Sequence, residues 1–467
     1  MPDLISEIRS LLNAHPGGGV HLMGIGGVGM AGLAGALQQR GYRVDGCDLA
    51  SNVFTDRLTA GGVPVLIGHD VAHLDAEPFM LIRSTAVPES HSEVRSAVER
   101  GIPVFRRGEV FPALLQSGTS VAVSGTHGKT TTSALCVHAV RGAGQDPSYF
   151  VGGEWEGAGR VFGAGADPLT IVEADESDGT LAHYRPDIAV ITGIDYDHME
   201  HFTDEQAFIR IFERFIAHTR TAIVYGRDDA RLSALIPAAV SAISYGFSPD
   251  ARVRGESVRE HEQGAAFTVV VDGTVMGDYS LPVHGMHNIQ NALAALAVTH
   301  QLGLSVARAG RALATFRPVR RRFERVAVWR GIPVYSDYAH HPTAIKALVK
   351  SAKHLTPRRL LAIFQPHRYT RTRALGLAFP SAFEGVDQVI LAPVYAASEQ
   401  PLEGGHIADL EAHFRSHGGV PFQAARDLDD AWSLFEEMAE PGDILLLIGA
   451  GDIERLGRAA ASATSGE

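Results

Sequence analysis

The sequence predicts an α/β protein built from three domains, and three observations carry that expectation. Val20-His21-Leu22-Met23 runs into Gly24-Ile25-Gly26-Gly27-Val28-Gly29, a helix-like stretch from Met30 to Arg40, and then Tyr42 to Asp48. Val121-Ala122-Val123 runs into Ser124-Gly125-Thr126-His127-Gly128-Lys129-Thr130-Thr131-Thr132 and a helix-like stretch ending near Arg141. From Pro333 onward, apolar runs again alternate with helical ones. Such alternation favours parallel sheets covered by helices. A chain of 467 residues also exceeds the size of a single core.

The first segment reads strand, G-x-G-x-x-G, helix, strand, acid. This is the dinucleotide-fold fingerprint in its proper context. It establishes a βαβ unit with a phosphate-friendly turn, and leaves open a bound diphosphate or a turn whose glycines serve only close packing. The first fifty residues alone suggest a nicotinamide-dependent dehydrogenase.

A second domain starts near Gly118. Its strand, glycine loop and helix start form a geometry that holds a nucleoside triphosphate, because loop amides and the helix N-terminus face the phosphates. Val123 stands where a full G-x-x-x-x-G-K-[ST] motif has its first glycine, so the loop is the shorter G-T-x-G-K-T form. Lys129 is placed to reach the terminal phosphates and Thr130 to offer a hydroxyl to magnesium. Leu169 to Val172 leads into Glu173-Ala174-Asp175-Glu176-Ser177-Asp178, and Ile188 to Thr192 leads into Gly193-Ile194-Asp195-Tyr196-Asp197-His198. Ligands of open α/β sheets bind at the carboxyl ends of strands, so both polar clusters fall beside the loop. Phe267 to Val271, Asp272-Gly273 and Thr274 to Val283 read as a β-hairpin, an antiparallel addition to this domain. A helix from Met286 to Leu302 follows, with Asn288 and Asn291 near its start.

Arg317 to Phe323 reads as a linker. Beyond it come strand Pro333 to Tyr335, helix Thr343 to Leu355, strand Leu360 to Phe364, helix Thr372 to Phe383, strand Gln388 to Leu391 and strand Asp443 to Ile448. The domains are expected at 1–117, 118–317 and 318–467.

Composition narrows the function classes. The formal net charge of −12 does not advertise nucleic-acid binding. Cys47 and Cys136 have neither metal spacing nor a disulfide framework, and read as reduced and buried in a cytoplasmic chain. Met1 to Pro16 lacks the apolar core of a signal peptide, and no run approaches membrane-spanning length, so no membrane insertion is expected. The oligomeric state is left open.

Phosphoryl transfer needs charge neutralised across several oxygens, and magnesium takes hard oxygen ligands. Thr130, Glu173 and His198 are the candidates. Histidine is a less usual magnesium ligand than carboxylate, and a hydrogen-bonded or packed His198 is the plainer reading. Asp175, Glu176 and Asp178 read either as part of this site or as a solvated loop. The Arg317–Arg322 cluster reads equally as a phosphate clamp or a solvated linker. Asp337-Tyr338-Ala339-His340-His341-Pro342 and Gln365-Pro366-His367-Arg368-Tyr369-Thr370-Arg371 are dense polar groups after strands. Neighbouring histidines on a turn point apart. Anion recognition by Arg368 and Arg371 is favoured, because guanidinium matches carboxylate geometry.

Taken in order, these motifs resemble the Mur ligase family over nearly the whole chain, from His21 to Ile453. The marks are Gly24 to Met30, Gly125 to Thr131, Glu173 to Asp178, Asp197-His198-Met199, His287-Asn288, Arg321-Arg322-Phe323, Asp337 to Pro342 and Pro366 to Arg371. The resemblance implies a Rossmann-like N-terminal domain that binds a UDP-sugar, a central P-loop-type domain that binds ATP, and a Rossmann-like C-terminal domain that receives an amino acid. It moves the first glycine turn from NAD to UDP, with Gly24, Gly26, Gly27, Gly29, Met30, Asp48 and Ser84 as contacts. It implies that Lys129 meets the γ-phosphate, that Thr130 and Glu173 hold one magnesium ion, and that Glu173 and His198 help to hold a second. Gly125, Thr126, His127, Gly128 and Thr131 line the ATP phosphates, and Asn288 or Asn291 lies near the adenine. Arg322 contacts ATP phosphates, while Tyr338, His340, His367, Arg368 and Arg371 face the amino acid and the acyl intermediate.

The implied activity is ATP-dependent joining of L-alanine to the lactyl carboxylate of UDP-N-acetylmuramate, in peptidoglycan precursor synthesis. The alternative within the family adds a recycled tripeptide instead. Between Met199 and Arg220 there is no lysine, which fits the alanine-adding branch, where the carbamylated lysine of other relatives is not expected. Three departures stand out. Ser84-Thr85-Ala86 is followed by Val87-Pro88-Glu89 rather than Asn-Pro-Glu. Ser336 stands where a second aspartate is common. Gly193-Ile194-Asp195 replaces Asn-Ile-Glu.

Overall fold

The computed structural model describes residues 4–115, 118–155, 161–197, 201–238, 240–261, 263–397 and 399–464. The expected three-domain α/β architecture is present, with three separate sheets. By compactness the chain forms two units: Met1–Asp195 with Gln206–Arg254 and Ala292–Ala312, and Tyr196–Glu205 with Gly255–Asn291 and Leu313–Glu467.

The first unit holds two sheets. Strands β1 (Gly19–Met23), β2 (Arg43–Asp48), β3 (Val65–Ile67), β4 (Met80–Arg83) and β5 (Val104–Arg106) form a parallel sheet in the order β3-β2-β1-β4-β5. Its helices are α1 (Leu4–Ala14), α2 (Val28–Gln39), α3 (Val53–Ala60), α4 (Ser92–Glu99) and α5 (Arg107–Leu114). The strand order reverses between β1 and β4, the place where an open sheet leaves a crevice for a ligand. Gly24 and Ser84, the residues that follow these two strands, sit at that crevice.

The second sheet contains β6 (Thr119–Ser124), β7 (Ser148–Phe150), β8 (Phe162–Gly163), β9 (Leu169–Glu173), β10 (Ile188–Ile191), β11 (Ala222–Gly226) and β12 (Ala242–Gly246), in the order β12-β11-β10-β6-β9-β7-β8. All these pairings are parallel except β7 with β8. Helices α6 (Lys129–Ala143), α7 (Glu205–Ala217) and α8 (Ala230–Leu235) follow β6, β10 and β11 in sequence. Strand β13 (Val253–His261) begins by pairing Val253 and Arg254 with β12.

In the second unit, β14 (Gly264–Val271) and β15 (Thr274–Leu281) form the expected hairpin. Asp272 and Gly273 both have positive φ, 47° and 80°, as a type I′ turn requires. The third sheet is β16 (Glu324–Trp329), β17 (Ile332–Asp337), β18 (Leu360–Phe364), β19 (Gln388–Leu391), β20 (Phe422–Ala424) and β21 (Ile444–Ile448), in the order β16-β17-β21-β18-β19-β20. Only the β16–β17 pair is antiparallel. The remaining helices that matter for the site are α9 (Met286–Gln301), α10 (Val306–Ala312), α11 (Pro342–Lys353) and α12 (Tyr369–Leu375).

The helix expected over Thr372 to Phe383 is a correction. It starts at Tyr369 and ends at Leu375, then gives way to a 3-10 turn, Gly376–Ala378, and one helical turn, Phe379–Ala382. Pro380 has no N–H to donate and cannot continue a helix. Cys47 and Cys136 are free and buried, as expected. Among the described residues, no helix is long and apolar enough to cross a membrane.

Apolar clusters cover both faces of the third sheet. Phe364, fully buried on β18, has its ring centroid 5.1 Å from those of Phe379 and Phe383. Phe364→Ala is expected to destabilise this unit by about 3–5 kcal/mol, read as a lower denaturant midpoint of its unfolding transition.

Candidate active site

Strand register positions the phosphate loop. Val123 of β6 lies opposite Glu173 of β9, and Ser124 lies opposite Ile191 of β10. The loop, the Glu173 carboxylate and the segment after Ile191 therefore emerge at one edge of the sheet. Gly125 takes φ 127°, and a Cβ there would lie 2.2 Å from Thr192 Oγ1, so only glycine fits. Gly128, at φ 81°, starts α6. Thr126 N donates to Gly193 O (3.0 Å), and Thr126 Oγ1 donates to Asp195 O (2.8 Å). Thr192 Oγ1 donates to His127 O, and His127 Nε2 lies 3.3 Å from Asp195 Oδ2. These bonds fix the loop so that amides at the start of α6 face outward, an arrangement suited to anions.

Lys129 is anchored by three partners. Its Nζ donates to Gly125 O (2.8 Å) and Thr126 O (3.3 Å), and pairs with Glu176 at 2.6 Å. Burial opposes the ammonium, but Glu176, Asp175 and Glu173 outweigh it and hold its pKa above the ordinary value. Glu176 is fully buried against Lys129, so it does not belong to a solvated loop. Thr130 Oγ1 donates to Glu173 Oε1 (3.0 Å), while Glu173 Oε2 accepts from Gly152 N (2.6 Å). A hydroxyl and a fixed carboxylate beside the loop are the hard oxygen donors that magnesium takes. Thr131 is buried within α6. His198 lies outside the described residues.

Arg107 was not singled out from sequence. Its guanidinium pairs with Asp175 (3.3 Å), and a Cβ on Gly29 would lie 2.8 Å from its Nη1. It thus stands between the first glycine turn and the acidic segment of the second sheet. Burial opposes its charge, yet Asp175, Tyr184 and Asp178 raise its pKa. Only spatial neighbours mark it, since Arg107 merely opens α5 in the sequence.

At the first turn, Gly24 N and Ile25 N donate to Cys47 O, and Gly27 N donates to Gly24 O. Met30 is buried in α2, and Ser84 N donates to Met23 O. Asp48 was expected to meet the ligand. Its Oδ2 accepts from Gly26 N (2.8 Å) and so braces the turn, while its Oδ1 accepts from Leu49 N (2.8 Å).

In the second unit, the residues after β17 and β18 converge where β17, β21 and β18 lie side by side. Tyr338 and His340 follow β17. His367 and Arg368 follow β18, and Arg371 lies in the first turn of α12. His340 Nδ1 lies 2.9 Å from Tyr338 O, and its ring centroid is 5.8 Å from that of His367. Arg321 and Arg322 stand 4.8 Å and 5.3 Å over the Tyr338 ring. His341 instead caps α11 by accepting from Thr343 N, so the adjacent histidines do point apart. Arg368 holds φ 71° and lies 3.4 Å from Glu399. Such backbone strain concentrates at functional sites.

Arg371 differs from expectation. Its Nε and Nη2 form a bidentate pair with Asp197 (3.1 and 3.2 Å), and both side chains are 3% exposed. The carboxylate that its planar fork engages is the chain's own. Asn288 and Asn291 are buried near the start of α9, where Asn291 Nδ2 donates to Asn288 Oδ1 (3.2 Å). Burial, with Arg322 nearby, lowers His287 to about 4. Burial and Arg371 likewise push His340 well below its usual range. Burial pushes Asp337 up, against Arg322 and the N–H groups of Ala339 and Phe323.

A strand–loop–helix phosphate cradle with lysine, hydroxyl and carboxylate at one sheet edge defines a nucleotide-binding α/β protein of the P-loop type. Family models narrow this further. The Mur ligase catalytic domain matches residues 19–119, the Mur ligase middle domain 166–299, and the Mur ligase glutamate ligase domain 321–451. The chain belongs to the Mur ligase family. It is 37% identical over 448 residues to the UDP-N-acetylmuramate–L-alanine ligase of Phenylobacterium zucineum, covering 93% of each chain. It is 38% identical over 457 residues to the enzyme of the same name from Symbiobacterium thermophilum, covering 95% of this chain and 94% of that one. Among solved structures, the UDP-N-acetylmuramate-alanine ligase MurC of Thermotoga maritima superposes with a TM-score of 0.80 at 26% identity, covering 96% of this chain and 99% of that one.

Two outcomes are expected from the geometry of the second unit. Asp197→Ala leaves a buried guanidinium uncompensated and should cost about 3–5 kcal/mol. The double variant Asp197→Ala/Arg371→Met should recover part of that loss in chemical denaturation. His287 ionises more readily once unfolded, at its usual value of about 6.5. The unfolded state then binds more protons, so stability is full above that pH and is lost as pH falls toward about 4. His287→Gln should flatten the stability profile between these limits.

Proposed function

We infer that this chain joins L-alanine to the lactyl carboxylate of UDP-N-acetylmuramate, consuming ATP and releasing ADP and phosphate. The observation that carries this reading is the meeting of Lys129, Thr130 and Glu173 at the phosphate loop, in a chain whose relatives of that activity match it nearly end to end. The dehydrogenase reading of the first fifty residues falls, because the relatives that match this chain nearly end to end are UDP-N-acetylmuramate–L-alanine ligases.

A carboxylate is a poor acyl donor, because its leaving group would be oxide. Transfer of the γ-phosphoryl group onto it gives an acyl phosphate. The alanine amine then attacks the carbonyl carbon, and the tetrahedral intermediate expels phosphate and leaves the amide. Lys129, held charged by Glu176, faces the transferring phosphoryl group. The loop residues Gly125, Thr126, His127 and Gly128 line the other phosphates. Thr130 and Glu173 would hold Mg2+, with Glu173 and His198 serving a second ion. Bound there, magnesium neutralises the charge on the phosphate oxygens. Asn288 or Asn291 meets the adenine, and Arg322 adds positive charge toward the phosphates.

Gly24, Gly26, Gly27, Gly29, Met30 and Ser84 form the UDP-sugar turn, which Asp48 braces from behind. Tyr338, His340, His367 and Arg368 receive the amino acid, with Arg371 fixed behind them by Asp197. We assign these three tasks to residues 1–117, 118–317 and 318–467. We place the reaction in the cytoplasm, where ATP and the UDP-sugar are made.

Phosphate release should require UDP-N-acetylmuramate and L-alanine together. Pyrophosphate as product, or indifference to the UDP-sugar, would sink the reading. A preference for the tripeptide over L-alanine would move the chain to the recycling branch. Lys129→Ala should lower kcat by about 10²–10³-fold, measured by the same assay.

A further inference from the structure

The first sheet contains a second constellation that the ligase reaction does not use. His21 on β1, Cys47 on β2, His73 on the 3-10 turn Val71–Ala76 and Glu93 in the first turn of α4 each offer one donor atom, all within 4.8 Å of one another. His21, Cys47 and Glu93 are completely buried. We propose that these four side chains form a structural site for one zinc ion, beneath the turn that carries the UDP-sugar.

The distances fit the metal. Tetrahedral zinc, with bonds of about 2.0–2.1 Å to nitrogen or oxygen and about 2.3 Å to sulfur, sets donor separations near 3.3 Å between the lighter atoms and near 3.6 Å to sulfur. Cys47 Sγ lies 3.5 Å from His21 Nε2 and 3.8 Å from Glu93 Oε1. His21 Nε2 lies 3.0 Å from Glu93 Oε1, and His73 Nδ1 lies 3.2 Å from the same oxygen. Cys, His, His and Glu are a zinc donor set, and four protein donors make a closed, structural site.

The surroundings support the same assignment. Asp45 Oδ1 lies 2.5 Å from His21 Nδ1. This carboxylate–histidine arrangement turns Nε2 toward the cluster and raises its basicity. His69 Nδ1, 3.0 Å from Cys47 Sγ, is placed to donate to a thiolate. Charge balances too, since one Zn2+ offsets one thiolate and one carboxylate while both histidines are neutral ligands. Binding displaces the thiol proton of Cys47 and the Nε2 proton of His21 to solvent. His73, its side chain 14% exposed, leaves a route for entry. Because Gly24 N and Ile25 N donate to Cys47 O, metal held by Cys47 steadies the glycine turn directly.

The test uses the full chain stripped with a chelator and kept free of ATP. Added Co2+ should give the tetrahedral visible bands and a near-ultraviolet thiolate charge-transfer band. Zn2+ should displace it at one ion per chain by native mass spectrometry and raise the melting temperature. The chain has only two cysteines, so Cys47→Ser assigns the band by abolishing it. His73→Ala, at the solvent edge, should keep a cooperative melt while weakening zinc by about 10–100-fold. Absence of stoichiometric zinc binding at micromolar concentration overturns the proposal. So does binding by Cys47→Ser and His73→Ala as tight as by the unaltered chain. Neither result touches the ligase reading, which is measured by phosphate release.

Discussion

The register of three parallel strands is the constraint on which the nucleotide site depends. β6 lies between β9 and β10, with Val123 opposite Glu173 and Ser124 opposite Ile191. Side chains alternate across a strand, so a slip of one residue would turn Glu173 to the other face and away from Thr130. The register is secured by hydrophobic burial, because Val121, Val123, Ile171, Val172, Val190 and Ile191 are all essentially inaccessible to water. An apolar ladder thus places the Thr130 hydroxyl against the Glu173 carboxylate, next to the Lys129 ammonium and its partner Glu176. The same rule governs the third sheet, where β17, β21 and β18 set Tyr338, His340, His367 and Arg368 side by side.

Charge at these edges is managed by pairing. Lys129 is held by Glu176, Arg107 by Asp175 and Arg371 by Asp197. Each cation is thereby fixed in place, and Lys129 and Arg107 are kept charged where burial alone would discourage it. Pairing also divides the arginines by task. The bidentate partner of Arg371 is the chain's own Asp197, and its Nη1 lies 3.2 Å from His367 Nδ1. Arg107 pairs with Asp175 at 3.3 Å and stands against the first glycine turn. His287 and His340 follow the opposite course: burial, with Arg322 beside one and Arg371 beside the other, holds them below their usual range.

What could be read from sequence was whatever the backbone dictates locally. The glycine turn at Gly24 to Gly29, the loop at Gly125 to Thr130 and the Asp272-Gly273 hairpin need particular residues at consecutive positions, and each formed as expected. The strands Leu360 to Phe364 and Gln388 to Leu391 were equally plain, being apolar and bounded by turns. Features made by distant residues stayed hidden. Glu176 looked like one of several loop acids, and only its approach to Lys129 across 47 positions shows it to be buried. Arg107 opposes Asp175 from 68 positions away. The break at Gly376 was missed because helical periodicity continues through it, although Pro380 was there to be weighed.

Cys47 carries that lesson furthest. Metal motifs are recognised in sequence when ligands fall a few residues apart, because one turn or one helix then holds them. Here Cys47 is 26 positions from both His21 and His73, and 46 from Glu93, so linear spacing gives no signal. The parallel β1–β2 register brings Cys47 level with Met23, two positions along the strand from His21 on the same face. The Val71–Ala76 turn and α4 then close over that face. A completely buried carboxylate needs compensation, and among the described residues Glu93 meets His21, His69, His73 and the Cys47 sulfur. Those groups are also what a soft-to-borderline divalent cation prefers, whereas Thr130 and Glu173 offer the oxygens that magnesium prefers. The chain therefore presents two unlike coordination chemistries in one compact unit, and the donor atoms alone separate an ion that serves phosphoryl transfer from one that fastens the fold.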